Sequence, residues 1–447
     1  MNLIDKFLHT TKTNKSKIAI KQKNTIKTYQ DIHDDVFKVV NYLSEQNIKK
    51  HAKVLLLVNM SYEMYVCLIG AVIYGLEVEV IDNFKDKQRV NNQLLDTNVE
   101  YVFTNNVTSI IKNIFKPLRK IKSFNICKIL KTTNTKETLY DVSENSPCLI
   151  TFTSGSTGRP KPVERSLNDL SKQLELTLSA LNINTNETVL ATLPIYTLAC
   201  LLEGMSIYVL GKKENITEVL QKEKPTMMFA SISKYLEISN PILTLKHAFF
   251  GGSILYYNEA VKIKNALPNA NISYIFGATE ASIISVTMLD EYIKKLEQNS
   301  LCMGTILPNN QVDIIDDEIV VVKGVITNNY LKETKKTNHF TKDLGYIKDN
   351  QIYITGRRIT DEIKSDYVLE MIVKKEFTDI FNLAILKINE EYHVYLEEKD
   401  MDKRINIILI LENYIKNGII HIVKKLPLDY RHNSKVDYKK LLTLVKE

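Results

Sequence analysis

The run Thr153-Ser154-Gly155-Ser156-Thr157-Gly158-Arg159-Pro160-Lys161 holds the densest chemistry in the chain. Two glycines let the backbone turn so that several N–H groups point at one place, which suits phosphate oxygens. The hydroxyls of Thr153, Ser154, Ser156 and Thr157 add donors, and Lys161 adds a charge. A plain surface Ser/Gly loop is the alternative; the full nine-residue pattern directly after an apolar run speaks for phosphate. A Walker loop is excluded. Lys161 is followed by Pro162 rather than Ser or Thr, and Gly158 is not adjacent to the lysine.

The elements that must position this loop are legible as strand–helix alternation. Residues 149–152 are apolar and read as the strand feeding the loop. Residues 28–44 carry apolar residues at helical spacing behind a cap at Thr28. Residues 54–58 read as a buried strand and 63–74 as a helix ended by Gly75, and 78–81 return to strand. The rhythm recurs at 189–192, 205–211, 226–230 and 247–250, which predicts βαβ units and parallel sheet covered on both faces. Residues 311–322 read as two short strands turning at Asp316-Asp317, and 345–354 as a hairpin around Asp349-Asn350. The expected fold class is α/β: a large N-terminal body of layered, parallel-rich sheets with helices, plus a small mobile α+β C-terminal lobe. The expected domains are 1–356 and 357–447, with a hinge near 357–361.

Composition narrows the function classes. The chain has 447 residues, long enough for two or three units, and its 44% hydrophobic and 25% charged content is that of a soluble globular protein. No run approaches the ~18 apolar residues of a membrane helix, and the N-terminus lacks a signal-peptide layout. Five scattered cysteines argue against a disulfide framework or a zinc site, so a cytoplasmic protein is expected. The net charge of +7 comes from lysine spread along the chain; without a clustered basic face, nucleic acid is not an expected partner.

The nine-residue loop resembles the signature of the AMP-forming adenylate superfamily: acyl-CoA synthetases, peptide-synthetase adenylation domains and luciferases. Four further segments resemble the family in its order: Gly251-Gly252-Ser253-Ile254-Leu255, Phe276-Gly277-Ala278-Thr279-Glu280, Thr341-Lys342-Asp343-Leu344-Gly345-Tyr346 with Gly356-Arg357, and Leu426-Pro427 leading to Lys435. By this resemblance the loop grips the phosphates of ATP, and Lys161 and Thr279 belong to the catalytic set. Glu280 would bind Mg²⁺, a hard cation that suits a carboxylate. Phe276 would stack on adenine, or be a core aromatic. Gly251, Gly252 and Gly277 would let backbone approach the nucleotide. Asp343 would accept hydrogen bonds from the ribose hydroxyls, and Arg357, in a chain with eight arginines, would contact the ribose. Lys435 would reach from the lobe to the substrate carboxylate and the α-phosphate, where an ammonium stabilises developing charge.

The same resemblance implies ATP-dependent activation of a carboxylic acid to an acyl-adenylate, with transfer to CoA or to the phosphopantetheine thiol of an external acyl carrier protein. Tyr196, Thr197 and Ala278 fall where the acid is expected. Thr197 stands where many members have a histidine, and no aspartate is present there to pair an α-ammonium; only Glu203 is near. A fatty or aryl acid is therefore favoured, and fatty-acid metabolism is the expected setting. After the hinge, residues 363–370 lack the family's glycines, which puts thioester formation with CoA in doubt. Two alternatives remain open: an adenylate-forming enzyme without a thiol step, such as a β-lactone synthetase, and a non-catalytic nucleotide- or acyl-binding homologue.

Overall fold

The computed structural model describes residues 1–81, 87–152, 161–181, 183, 185–326, 329–330, 338–377, 379, 382–416, 418–428 and 435–443. They group into two compact units. The first comprises the described residues within 1–152, 161–229 and 329–330; the second comprises those within 230–326 and 338–443.

In the first unit the predicted alternation forms as expected. Thr28 caps the helix Tyr29–Glu45 and closes a capping box with Asp31, an arrangement that contributes about 1 kcal/mol. Gly75 ends the helix Tyr62–Tyr74 at φ 90°, a left-handed conformation that glycine adopts without a Cβ penalty. The strands Lys122–Asn125, Tyr101–Thr104, Lys53–Leu57, Glu77–Val80 and Pro147–Phe152 pair in that order, all parallel. The strand Pro162–Ser166 then adds antiparallel, with Phe152 opposite Pro162. The phosphate-type loop is therefore the connection of a hairpin, and residues 153–160 lie outside the described residues. A second set, Ile18–Gln22, Ser206–Val209, Thr188–Ala191 and Met227–Phe229, is parallel throughout.

The second unit is mostly antiparallel. His247–Gly251 and Asn271–Ala278 run parallel, and Ser282–Met288, Leu301–Ile306, Gln351–Arg358 and His339–Lys348 then follow as antiparallel neighbours. Both predicted turns form: Asp316 and Asp317 have φ 50° and 61°, and Asp349 and Asn350 have φ 52° and 58°. Two consecutive positive φ values make the tight turn whose twist matches its strands, which Asp and Asn tolerate. In the C-terminal lobe, Ile363–Asp366, Asn382–Ile388, Glu391–Glu397 and Ile419–Ile422 form a sheet. One face packs Leu383, Ile385, Val394 and Leu396 against the helices Tyr367–Lys375 and Met401–Glu412. The other packs Ala384, Leu386 and Tyr395 against Leu426, Tyr438 and Leu441.

Candidate active site

The second unit brings together most of the residues singled out in the sequence. Gly251, at the end of its strand, pairs with Ile275 of the neighbouring strand, one residue before Phe276. The segment that follows is pinned by two phenols. The Tyr274 hydroxyl donates to the Ser253 carbonyl at 2.6 Å, and the Tyr292 hydroxyl donates to the Leu255 carbonyl at 2.8 Å. Gly252 has φ 91°, and a Cβ there would meet nothing within 4 Å, so its backbone faces open space. That is the surface a planar ligand needs to approach main chain.

Phe276-Gly277-Ala278-Thr279-Glu280 spans the end of one strand and a tight turn into Ser282–Met288, with a bulge between Phe276 and Gly277. A Cβ on Gly277 would lie 2.1 Å from the Ser282 carbonyl oxygen, so only glycine lets the two strands close. Phe276 is half-buried and is not among the core side chains. Its ring is thus available for stacking. Glu280 is 8% exposed, and one of its carboxylate oxygens lies 3.9 Å from His339 Nε2. His339 carries no motif and is absent from the sequence-level set; only strand register brings it to Glu280. Burial lowers its pKa and the Arg357 cation adds to that, against the opposing pull of Glu280 and Asp343, so it is held toward the neutral form.

Asp343 and Arg357 are opposite residues of the hairpin His339–Lys348 and Gln351–Arg358. Arg357 Nη1 donates to Asp343 Oδ1 at 2.6 Å, with the side chains 19% and 15% exposed. Burial opposes the arginine's charge, and Asp343 together with Tyr367 and Tyr438 outweighs it, leaving its pKa raised. The Thr341 hydroxyl fixes the aspartate: it donates to the Ile319 carbonyl at 2.8 Å and accepts from Asp343 N–H at 3.1 Å. Lys342 between them sits at φ 66°, left-handed for a non-glycine residue, with its N–H donated to Glu318. Strain of this kind gathers at ligand sites. Arg357 Nε is buried and has no hydrogen-bond partner among the described residues.

Lys435 is partly buried in the C-terminal lobe; its backbone is held by the bridge between Leu428 and Val436 and by Asp437 N–H donating to the Pro427 carbonyl at 2.8 Å. Tyr438, three residues on, approaches Tyr367 with the hydroxyls 3.4 Å apart, and the charge on Arg357 is felt by both tyrosines.

The first unit carries the remaining candidates. Lys161 is exposed beside its strand. Thr153, Ser154, Gly155, Ser156, Thr157 and Gly158 lie outside the described residues. Tyr196 and Thr197 open the helix Pro194–Leu202. The Tyr196 ring stacks on Phe229 at 4.9 Å and 24°. Thr197 is fully buried and its hydroxyl donates to the Leu193 carbonyl at 3.1 Å. The Tyr65 hydroxyl donates to the Pro194 carbonyl at 3.2 Å and is also within reach of Thr197. Tyr65 was not legible as a site residue, because it lies in a uniformly apolar helix.

Residues 7–326 match the model of the AMP-binding enzyme family. The chain belongs to that family. Among curated members, the D-alanine–D-alanyl carrier protein ligase of Staphylococcus haemolyticus (strain JCSC1435) is 24% identical over 461 residues, covering 95% of this chain and 87% of that one. Among solved structures, the anthranilate CoA ligase AuaEII in complex with anthranoyl-AMP superposes with a TM-score of 0.84 at 14% identity, over 100% of this chain and 97% of that one. O-succinylbenzoate CoA synthetase (MenE) from Bacillus subtilis, with AMP, gives 0.81 at 15% identity, over 98% and 97%. The expected superfamily and α/β architecture stand, as does the activity class of an AMP-forming ligase. Among the described residues, no helix of this AMP-binding enzyme is long and apolar enough to cross a membrane.

Proposed function

We propose that this enzyme adenylates a carboxylic acid that carries no α-ammonium group, a fatty or aryl acid, and passes the acyl group to the phosphopantetheine thiol of a separate carrier protein in the cytoplasm. The acid class rests on Thr197. A buried ammonium needs a counter-charge. At this position stands a hydroxyl already donated to the Leu193 carbonyl. Glu203 caps the far end of the same helix, about 9 Å along its axis at 1.5 Å per residue, and is ion-paired with Lys6. The named D-alanine ligases support a carrier-protein acceptor. Five free cysteines suit a reducing compartment.

Asp343 and Arg357 fit the ribose of ATP. The carboxylate has acceptor capacity beyond its bond to Arg357, and the orphaned Arg357 Nε supplies a donor. Phe276 offers its ring to adenine, Gly251, Gly252 and Gly277 the close backbone approach, and the loop 153–158 with Lys161 the phosphate contacts. Ala278, half-buried at the strand end, would border the acid. Thr279 and Glu280 would face the α-phosphate, with Glu280 the Mg²⁺ ligand. No three His, Cys, Asp or Glu side chains among the described residues converge on a metal position. That fits a Mg²⁺ ion that takes one carboxylate and completes its shell from phosphate and water. Such an ion neutralises phosphate charge. Lys435 would hold the acid carboxylate against the α-phosphate and stabilise the charge that builds there.

Intact-mass measurement of a phosphopantetheinylated carrier protein, incubated with enzyme, ATP, Mg²⁺ and a pool of short fatty and aryl acids, tests the acceptor. An acyl mass increment on the carrier is expected. Acyl-CoA formation with an unmodified carrier would contradict it.

A further inference from the structure

The first helix of the C-terminal lobe, Tyr367–Lys375, meets the helix Tyr257–Ala266 of the same unit through polar groups. The Tyr256 hydroxyl donates to one oxygen of Glu370, and the other accepts Ile385 N–H at 2.9 Å. Lys374 places its ammonium 3.7 Å from the centre of the Tyr256 ring. Glu259 accepts the Tyr256 N–H at 3.0 Å and, with Glu370, attracts Lys374 electrostatically. The Asn258 amide donates to the Lys374 carbonyl at 3.0 Å and to the Phe377 carbonyl. Lys375 reaches the Asn299 side chain at 2.6 Å. Glu370 is 2% exposed, while Tyr256, Glu259 and Lys374 are partly buried.

A buried polar junction of this kind adds little net stability, because each group gives up water to form it. What it does supply is direction, since hydrogen bonds and ion pairs are satisfied in one register and apolar contacts in many. Its groups are also at home in water, so such a junction separates more readily than an apolar seam. The helix that carries Glu370 and Lys374 begins at Tyr367, which touches Tyr438 beside Lys435. One rigid element therefore links the junction to the region of Lys435 and Arg357.

We propose that Tyr256 is a positioning residue. Its phenol, seated on Glu370, fixes the orientation in which the lobe presents Lys435 for acyl-adenylate formation. This rests on the ligase reading above. Tyr256→Phe removes one hydroxyl and leaves the ring under Lys374. It lowers kcat for acid-dependent pyrophosphate release about tenfold at unchanged KM for ATP and acid. Transfer from pre-formed acyl-adenylate to the carrier thiol proceeds at the wild-type rate. In the ligand-free full chain, amide exchange of residues 367–375 speeds up while that of the sheet strand 382–388 does not. Asn258→Ala shifts each readout the same way by a smaller factor, and carries the test should Tyr256→Phe fold poorly. Wild-type kinetics and wild-type exchange in both variants would overturn the proposal, as would an equal loss in both half-reactions. If wild-type enzyme released no pyrophosphate with any acid, the ligase reading would fall, and unchanged exchange at 367–375 would by itself overturn the junction's role.

Discussion

The second unit gathers charge around its candidate residues, while the surroundings of Thr197 in the first unit are neutral. Glu280 sits in a turn, His339 and Asp343 on one strand and Arg357 on its neighbour; all are largely buried, and they engage one another through the Asp343–Arg357 ion pair and electrostatic coupling. Around Thr197 in the first unit, the groups that meet are hydroxyls, main-chain carbonyls and stacked rings: Tyr65, Tyr196, Phe229, Leu193 and Pro194. On the proposed function, the contrast follows from what each would bind. A nucleoside triphosphate and its metal cannot leave water without fixed counter-charges and donors. The body of an uncharged acid needs shape and apolar surface, and a charge there would be a penalty. On that proposal, nucleotide use is written in ionic groups and acid choice in neutral ones.

The largest expected effect comes from the charged side. Lys435→Ala lowers acid-dependent pyrophosphate release by about 10²–10³, the range for a lost transition-state donor, while ATP affinity measured by calorimetry stays within about twofold of wild type. Asp343→Ala comes next. A hydrogen bond to a charged group contributes about 1.5–3 kcal/mol, so ATP should bind about 10–100-fold more weakly. The melting temperature should fall as well, because Arg357 keeps its burial and loses its partner. On the neutral side, Thr197→Asp places a carboxylate at the start of the helix. The ratio of D-alanine-dependent to propionate-dependent pyrophosphate release should rise by about tenfold, read from kcat/KM for each acid. A ratio unchanged in a folded variant would break the comparison at its weaker side.

The smallest effect on chemistry comes from Glu79, a charge-bearing side chain inside the parallel sheet. Burial pushes its carboxyl up to about 8, against an opposing Thr97 hydroxyl. The folded state then holds the proton more tightly than the unfolded state. The associated stability is fully present below the unfolded value near 4.5 and is lost as pH rises through about 8. Glu79→Gln should flatten the decline of unfolding free energy between pH 5 and 8 by up to about 1 kcal/mol per pH unit, and leave kcat unchanged at pH 7.

Much of this was legible in sequence where the signal is local. Thr28 with Asp31, Gly75, Asp316-Asp317 and Asp349-Asn350 each set a cap or turn within a few residues. The Asp349-Asn350 turn sets the hairpin register as far as Gly345, but the pairing of Asp343 with Arg357 also needs the bulge between Leu344 and Gly345, since an unbroken register would place Gly356 opposite Asp343. Other features depend on register and tertiary packing. His339 meets Glu280 only after several strands have aligned, and nothing flanking it marks a site. Tyr274 and Tyr292 read as core aromatics, and their role in pinning residues 253 and 255 lies in where their hydroxyls end. Glu79 lies in a strand of the parallel sheet, whose cover on both faces buries it fully. The junction at Tyr256 and Glu370 joins segments far apart in sequence and has no pattern in either.

The central claim, ionic groups for the nucleotide and an uncharged wall for the acid, is tested most directly by one matched panel. Acid-dependent pyrophosphate release by wild-type enzyme should be measured with propionate, D-lactate, D-alanine, hexanoate and benzoate under identical ATP and Mg²⁺. The account predicts release with one or more of the acids lacking an ammonium, and kcat/KM for D-alanine at least tenfold below the best of them. D-alanine as the preferred acid, or no release with any acid, would contradict it.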